Sequence, residues 1–427
     1  MAAGWRDYMA PPGSVRAPSS PLPAGIMLNP SLESFTDFPF DRLRALLGPV
    51  EPPKDMEPLV LSIGEPQHAA PPMVAEVLAA NAPLWGKYPP VDGSPAFRRA
   101  VAGWLTRRYA LPEGWIDPDT QVLPIAGSRE ALFMIGHLAV PPHKKGARPV
   151  VLVPNPYYHV YSAVPQMMGA EAVFVPATAE SGFLPDYAAL DPAILDRTAL
   201  AFLCTPSNPQ GAVADLATLK RAVALAVKHD FILAVDECYT EIYTDGPPAG
   251  ALQACAEMGE GLDRVVVFHS LSKRSSVPGL RSGFVAGAPG TMALFRRLRS
   301  YGGAGVPGPV IEASIALWGE EGHVEANRAL YRAKFAAAER LLGPRFGKVT
   351  PAGGFFLWLD VGDGEAAARA LWREAAIRVL PGAYMARPDA AGKNPASRYI
   401  RVALVHDLAT TTRALERLVK VLVTIMP

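Results

Sequence analysis

The chain has 427 residues, 50% of them hydrophobic and 19% charged, with 41 Lys and Arg set against 40 Asp and Glu. A chain of that length and texture can bury two domain cores, which excludes a fibrous or wholly disordered protein. The formal charge of +1 leaves no basic field to gather nucleic acid or anionic lipid, so small molecules are the expected partners.

No window reaches the roughly 18 consecutive apolar residues that a membrane span needs. Three cysteines, Cys204, Cys238 and Cys255, form neither a CxxC pair nor an even framework. That usage fits a reducing compartment, with the cytoplasm as the expected location, and argues against a thiol-bound metal.

Residues 1–26 carry Pro11, Pro12, Pro18, Pro21 and Pro23 among Gly, Ser and Ala, without the apolar run of a secretory signal. They read as a flexible N-terminal extension. An arm follows over 27–62, with a short amphipathic helix expected from Phe38 to Leu47. From 63 to 305, apolar β-branched runs alternate with helical stretches. The runs are Val150–Val153, Ala172–Val175, Leu200–Leu203, Phe231–Val235, Val265–Phe268 and Gly283–Ala286, and Leu216, Leu219, Val223 and Val227 mark one buried helix face between two of them. This pattern predicts an α/β fold whose mostly parallel sheet is covered by helices on both faces. Ligands of such sheets collect beyond the carboxyl ends of the strands. From 306 to 427, long helical stretches (Val310–Leu342, Leu408–Val423) surround strand-like Phe355–Val361 and Tyr399–Leu404, predicting a smaller α+β domain that the arm joins.

The polar motifs sit at predicted strand ends. Val122 to Phe133 reads as strand, tight turn and helix, with Gly127 permitting the turn and Ser128 as the N-cap. Free N–H groups at such a helix start form an anion site. Pro154-Asn155-Pro156-Tyr157-Tyr158 places aromatics after one strand, and Thr205-Pro206-Ser207-Asn208-Pro209-Gln210-Gly211 is a stiff turn that aims the Asn208 amide. Asp236, in Val235-Asp236-Glu237-Cys238-Tyr239, lies at the sheet's carboxyl edge.

The most informative segment runs from Ser270 to Phe284. It sets Lys273 among small hydroxyls, with Ser270 before it and Arg281 eight positions later. A primary amine beside a hydroxyl and a guanidinium suits an aldehyde that carries a phosphate, and pyridoxal 5'-phosphate is that molecule. With it in view, Ser128 supplies a third side of a phosphate cup, and Asp236 either pairs with a protonated ring nitrogen or simply caps the next helix. Tyr239 and Asn208 can donate to the ring oxygen, Asn208 alternatively to a substrate carboxylate, and Tyr158 can stack on the ring. Arg401, inside the apolar run Tyr399–Leu404, needs an anionic partner, either a substrate α-carboxylate or an internal acid.

With these residues in place the chain resembles the class I/II aminotransferases of fold-type I from about Met27 onward. The resemblance implies Lys273 as the Schiff-base lysine and Ser270, Arg281, Ser128 and Arg129 as phosphate contacts. It implies Asp236 on the pyridine nitrogen, Tyr239 and Asn208 on the ring oxygen, and Tyr158 as the stacking aromatic. Gly64, in Leu61-Ser62-Ile63-Gly64-Glu65-Pro66, and Arg401 fall on the grip for the substrate carboxylate. Tyr88 falls on the tyrosine that reaches into the other subunit's phosphate site, which implies a homodimer with shared active sites.

At subfamily level the chain is similar to the bacterial succinyldiaminopimelate aminotransferases, implying N-succinyl-LL-2,6-diaminopimelate as donor and 2-oxoglutarate as acceptor. Other aminotransferase donors, or a carbon–sulfur lyase on the same scaffold, are the alternatives. Arg274, Arg129 and Lys87 are the candidates for a distal substrate carboxylate, and Tyr301 to Gly308 is more glycine-rich than the resemblance leads one to expect.

Overall fold

The computed structural model describes residues 38–425, preceded by Asn29, Ser31, Leu32 and Phe35, so the expected extension over 1–26 lies outside the described residues. The body that follows Phe35 forms one compact unit. Its strands are β1 (Leu59–Val60), β2 (Val122–Ile125), β3 (Val150–Asn155), β4 (Glu171–Pro176), β5 (Thr198–Cys204), β6 (Ile232–Asp236), β7 (Val265–Ser270), β8 (Gly283–Gly287), β9 (Phe356–Asp360), β10 (Ile377–Arg378), β11 (Leu380–Pro381) and β12 (Tyr399–Ala403).

Seven of them make one sheet in the order β2-β8-β7-β6-β5-β3-β4. The β3, β4, β5, β6 and β7 ladders are parallel, and β8 runs antiparallel to both of its neighbours. Period-two alternation explains why these runs are continuously apolar. Val150, Leu152, Leu233, Val235, Val265 and Val267 enter one core, whereas Val151, Val153, Phe202, Ala234, Val266 and Phe268 enter the core on the opposite face. The parallel strands therefore end together, with Asn155, Cys204, Asp236 and Ser270 on one edge.

A third core surrounds the antiparallel sheet β11-β12-β9 and takes in Leu43, Leu46, Leu47, Leu59 and Leu61 from the arm. The arm's helix covers Pro39–Leu47, and β1 pairs in parallel with β10. The helical stretch expected over Val310–Leu342 is two helices, Gly308–Gly319 and Gly322–Phe346, interrupted at Glu320 and Glu321. The first carries Val310, Ile311, Leu317 and Trp318 into the core of the large sheet, and the second carries Tyr331, Phe335 and Leu342 into the small one. In the helix Leu216–His229 the buried residues are Leu219, Val223, Ala226 and His229. Val227, expected on that face, is 39% exposed, because the core-facing stripe follows the 3.6-residue pitch to Ala226 instead.

Candidate active site

A cleft of about 550 Å³ opens at the carboxyl edge of the large sheet and is walled on its far side by the small core. Its lining includes Gly64, Ser128, Arg129, Tyr158, Asn208, Asp236, Tyr239, Ser270, Lys273, Arg281 and Arg401. These residues are as much as 337 positions apart, Gly64 to Arg401, and strand ends bring them together. Tyr88 lies elsewhere, fully exposed after the short turn Ala82–Gly86.

Lys273 sits in the four-residue helix Leu271–Arg274, which starts directly off β7 because the Ser270 hydroxyl accepts from the Ser272 N–H at 3.1 Å. The Lys273 Nζ donates to the Gly64 carbonyl at 2.6 Å, and burial lowers its pKa to about 8. A lysine amine so tuned is available as a nucleophile and proton carrier near neutral pH.

On the next wall, Gly127 takes the cap position of the helix Ser128–Ala139 with φ +85°, a conformation that favours glycine. Ser128, expected as the N-cap, is instead the first helical residue, and its side chain lines the cleft. The glycine is needed twice over, since a Cβ there would stand 2.1 Å from Arg281 Nη2. Arg281 is pinned by the carbonyls of Pro278 and Ala126, each at 3.0 Å, so its guanidinium lies across the helix start. Helix N–H groups, Ser128, Ser270 and Arg281 together suit a phosphate dianion.

Asp236 ends β6, buried. Its Oδ2 accepts from the Tyr161 hydroxyl at 2.7 Å and its Oδ1 from the Cys238 N–H at 3.2 Å. Burial pushes its carboxyl up, and these hydrogen bonds oppose that by favouring the charged form. A cationic ring nitrogen is the partner such a carboxylate lacks. Tyr158 accepts from Arg129 Nε at 2.8 Å, which holds its ring against the cleft.

Arg401, on β12, donates to Asn208 Oδ1 at 2.9 Å and to the Ser62 carbonyl at 2.7 Å, with its guanidinium carbon 4.2 Å from the centre of the Phe356 ring. Neither partner is charged, and its buried Nε has no partner at all among the described residues. Burial lowers its pKa to about 10, and an anionic ligand would reverse that cost. The donor set thus fits both a phosphorylated pyridine aldehyde and an amino-acid carboxylate.

Of the three candidates for a distal carboxylate, only Arg129 lines the cleft. Arg274 points the other way, donating to the Leu317 carbonyl and to Glu321 at 2.6 Å each while packed on Trp318. Lys87 is exposed outside the cleft. The glycine-rich stretch owes its composition to close packing: a Cβ on Gly305 would meet Pro89 at 2.7 Å, and one on Gly308 would meet Leu84 at 2.8 Å.

Sequence reasoning missed Tyr161, His159 and Cys238. Tyr161 stands one helical step from Tyr158, so its face was readable, but its bond to Asp236 depends on β6 lying beside it. His159 also lines the cleft, with its pKa lowered by burial to about 4.

The family model "Aminotransferase class I and II" matches residues 57–418. The LL-diaminopimelate aminotransferase of Dehalococcoides mccartyi is 33% identical over 318 residues, 73% of this chain and 78% of that protein. Among solved structures, an aminotransferase from Neisseria meningitidis is 42% identical, covering 92% of this chain and 99% of its own at a TM-score of 0.87. The aminotransferase AspB of Helicobacter pylori is 33% identical, covering 91% and 98% at a TM-score of 0.82.

Proposed function

Because the chain belongs to the class I and II aminotransferases, a family that depends on pyridoxal 5'-phosphate, we propose that it transfers an amino group from N-succinyl-LL-2,6-diaminopimelate to 2-oxoglutarate. The cofactor supplies a carbonyl for amine exchange and an electron-withdrawing ring. Lys273 is the residue that takes the Cα proton of the donor and returns it, a task that its pKa of about 8 suits. Asp236 would hold a positive ring nitrogen, with the Tyr161 hydroxyl favouring its charged form against burial. Tyr239 and Asn208 would meet the ring oxygen of the bound cofactor, and Tyr158 would support its ring. Ser128, Arg129, Ser270 and Arg281 hold the phosphate. Arg401 and Gly64 orient the α-carboxylate so that the Cα–H bond faces Lys273.

The observation that carries this reading is the pairing of Lys273 and Arg401 as walls of one cleft, the first with a depressed pKa and the second with an unpartnered buried N–H. A second reading, unmodified LL-diaminopimelate as donor, is favoured by the name of the Dehalococcoides relative.

We further read the large sheet with the cores on its two faces as a cofactor-binding domain, which includes the helix Gly308–Gly319, and the small sheet with its core as a smaller domain. The assembly in this reading is a homodimer in which the exposed Tyr88 reaches the partner's phosphate site. The three free cysteines suit a cytoplasmic enzyme. No helix among the described residues is long and apolar enough to cross a membrane.

The test compares initial rates with N-succinyl-LL-diaminopimelate, LL-diaminopimelate, acetylornithine, aspartate, methionine and aromatic amino acids. The succinylated donor is expected to give the highest kcat/KM with 2-oxoglutarate. A higher value for LL-diaminopimelate establishes the second reading. Release of ammonia and pyruvate or thiol, without amino transfer, would instead mark a lyase.

A further inference from the structure

Behind the cleft, on the side of Lys273 away from the lining, lies a chain of three polar side chains, two buried and one half-buried, that the proposed reaction does not use. Asn327 Nδ2 donates to two carbonyls, those of Lys273 at 3.2 Å and Arg274 at 3.3 Å. Asn327 Oδ1 lies 2.7 Å from His68 Nδ1, and His68 Nε2 lies 2.8 Å from Lys334 Nζ. Lys334 completes its bonds with the carbonyls of Leu404 at 2.6 Å and His406 at 2.9 Å. Lys334 and Asn327 are buried, only 1% and 7% exposed, and His68 between them is half-buried.

The proton positions in this chain follow from its ends. Backbone carbonyls only accept, so Asn327 turns its NH2 toward Lys273 and Arg274 and its oxygen toward His68. His68 Nδ1 must then carry a hydrogen, which leaves Nε2 of the neutral ring as an acceptor for Lys334. Burial lowers the Lys334 pKa to about 7, and in its charged form the amine spends its three hydrogens on His68, Leu404 and His406. With Lys334 charged, every donor and acceptor has one assignment: donation runs outward from Lys334, to the carbonyls beyond β12 on one side and through His68 and Asn327 to the helix of Lys273 on the other.

Position makes this more than a buried contact. The carbonyls that Asn327 holds are the last two of the helix Leu271–Arg274, which has no further turn to satisfy them. The carbonyls that Lys334 holds begin one residue after β12, the strand that carries Arg401. His68 itself follows Gly64 by four residues, and its own carbonyl accepts from the Ser276 hydroxyl at 3.3 Å. The three segments bearing the amine, the guanidinium and the Gly64 carbonyl therefore meet at one imidazole.

We propose that His68 is a positioning residue for amino transfer: through Asn327 and Lys334 it sets the backbone of Lys273 relative to the strand of Arg401. The proposal rests on the roles assigned above to Lys273 and Arg401, and it is independent of which amino donor is used. Proton transfer is sensitive to small displacements of the carrying group, so loss of this register lowers turnover more than it lowers substrate binding.

The test uses His68→Phe, Asn327→Asp and His68→Asn in the cofactor-loaded enzyme with the best donor, alongside Lys273→Ala. Asn327→Asp is nearly isosteric and keeps an acceptor for His68, but it replaces the donor to the two carbonyls with a carboxylate oxygen that repels them. His68→Phe and Asn327→Asp should each lower kcat by about ten-fold or more while KM stays within about three-fold, and should raise the isotope effect with Cα-deuterated donor. In cofactor-free protein, deuterium uptake of the peptide spanning 270–277 should rise in both variants. His68→Asn, whose amide can occupy the place of Nδ1–H, should recover part of kcat. If kcat and the isotope effect of Asn327→Asp match the wild type, the proposal is overturned, even where thermal stability falls. Full turnover in Lys273→Ala would overturn the role of the lysine itself, whereas a dead Lys273→Ala beside a normal Asn327→Asp would sink only the role of His68. Should His68→Phe fail to fold, Asn327→Asp carries the decision alone.

Discussion

The Lys273 ammonium donates to the carbonyl of Gly64 at 2.6 Å, which joins the short helix after β7 to the loop after β1 across the floor of the cleft. The contact binds the amine without neutralising it, and burial lowers its pKa to about 8, well under the value of an exposed lysine. Labelling of Lys273 by an amine reagent in cofactor-free protein should therefore rise through about pH 8, while surface lysines follow near pH 10.4. The sign for stability follows from the same shift. Between about 8 and 10.4 the unfolded chain binds more protons than the folded one, so the folded state gains stability as pH rises across that window. In cofactor-free protein the stability difference between wild type and Lys273→Met should move in favour of wild type from pH 7 to pH 10, read from denaturant midpoints. A difference that does not change with pH would contradict the shifted amine.

Gly64→Ala tests the other end of the same contact. Its Cβ would lie 2.5 Å from Phe356 Cζ and 2.8 Å from Cε1, and Phe356 is the ring on which Arg401 rests. Either the ring or the loop must move, so the carboxylate grip loosens. The variant should keep its cofactor and raise KM for the amino donor by about ten-fold, roughly 1.4 kcal/mol. An unchanged KM would remove Gly64 from the substrate site.

Arg401→Lys should leave cofactor binding intact and weaken every substrate that uses an α-carboxylate. An ammonium cannot bond Asn208, Ser62 and a carboxylate in the planar fork that Arg401 provides. Hydrogen bonds to charged groups contribute about 1.5–3 kcal/mol, which corresponds to a fall in kcat/KM of about ten- to a hundred-fold. Equal kcat/KM for the two proteins would show that the unpartnered Nε of Arg401 serves some other ligand.

How much of this was legible in the sequence depends on the kind of contact. Strand ends were readable because fully buried parallel strands are continuous apolar runs, and Asp236, Ser270 and Asn208 could be placed just beyond them. Lys273 was readable from its company of small hydroxyls. Long-range partners were not. Nothing local to Tyr161 says that it faces Asp236, and nothing local to Arg274 says that its guanidinium turns toward Leu317 and Glu321 instead of the cleft. Val227 failed for a related reason. Three- and four-residue spacing allows two neighbouring stripes on one helix, and only the packed sheet decides which is buried.

Tyr161 gives the sharpest test of the ring-nitrogen site, because its hydroxyl is spent on the carboxylate of Asp236. Its hydroxyl donates to Asp236 Oδ2 at 2.7 Å, and its ring stacks on Phe202 with centroids 4.7 Å apart, so Tyr161→Phe removes one hydrogen bond and leaves the packing. Without that donor, burial pushes the Asp236 carboxyl further up, and its hold on a protonated nitrogen weakens. Tyr161→Phe should raise the cofactor dissociation constant by about ten-fold, within the roughly 1.5–3 kcal/mol of a hydrogen bond to a charged group, and lower kcat moderately. Asp236→Asn should lower kcat much further, since an amide cannot stabilise the cationic nitrogen at all. The two variants are thus expected in a fixed order, wild type above Tyr161→Phe above Asp236→Asn, and steady-state kcat together with fluorescence titration of the cofactor checks it. If Asp236→Asn turns over as fast as the wild type, the carboxylate has no part in the chemistry and Tyr161 is packing alone.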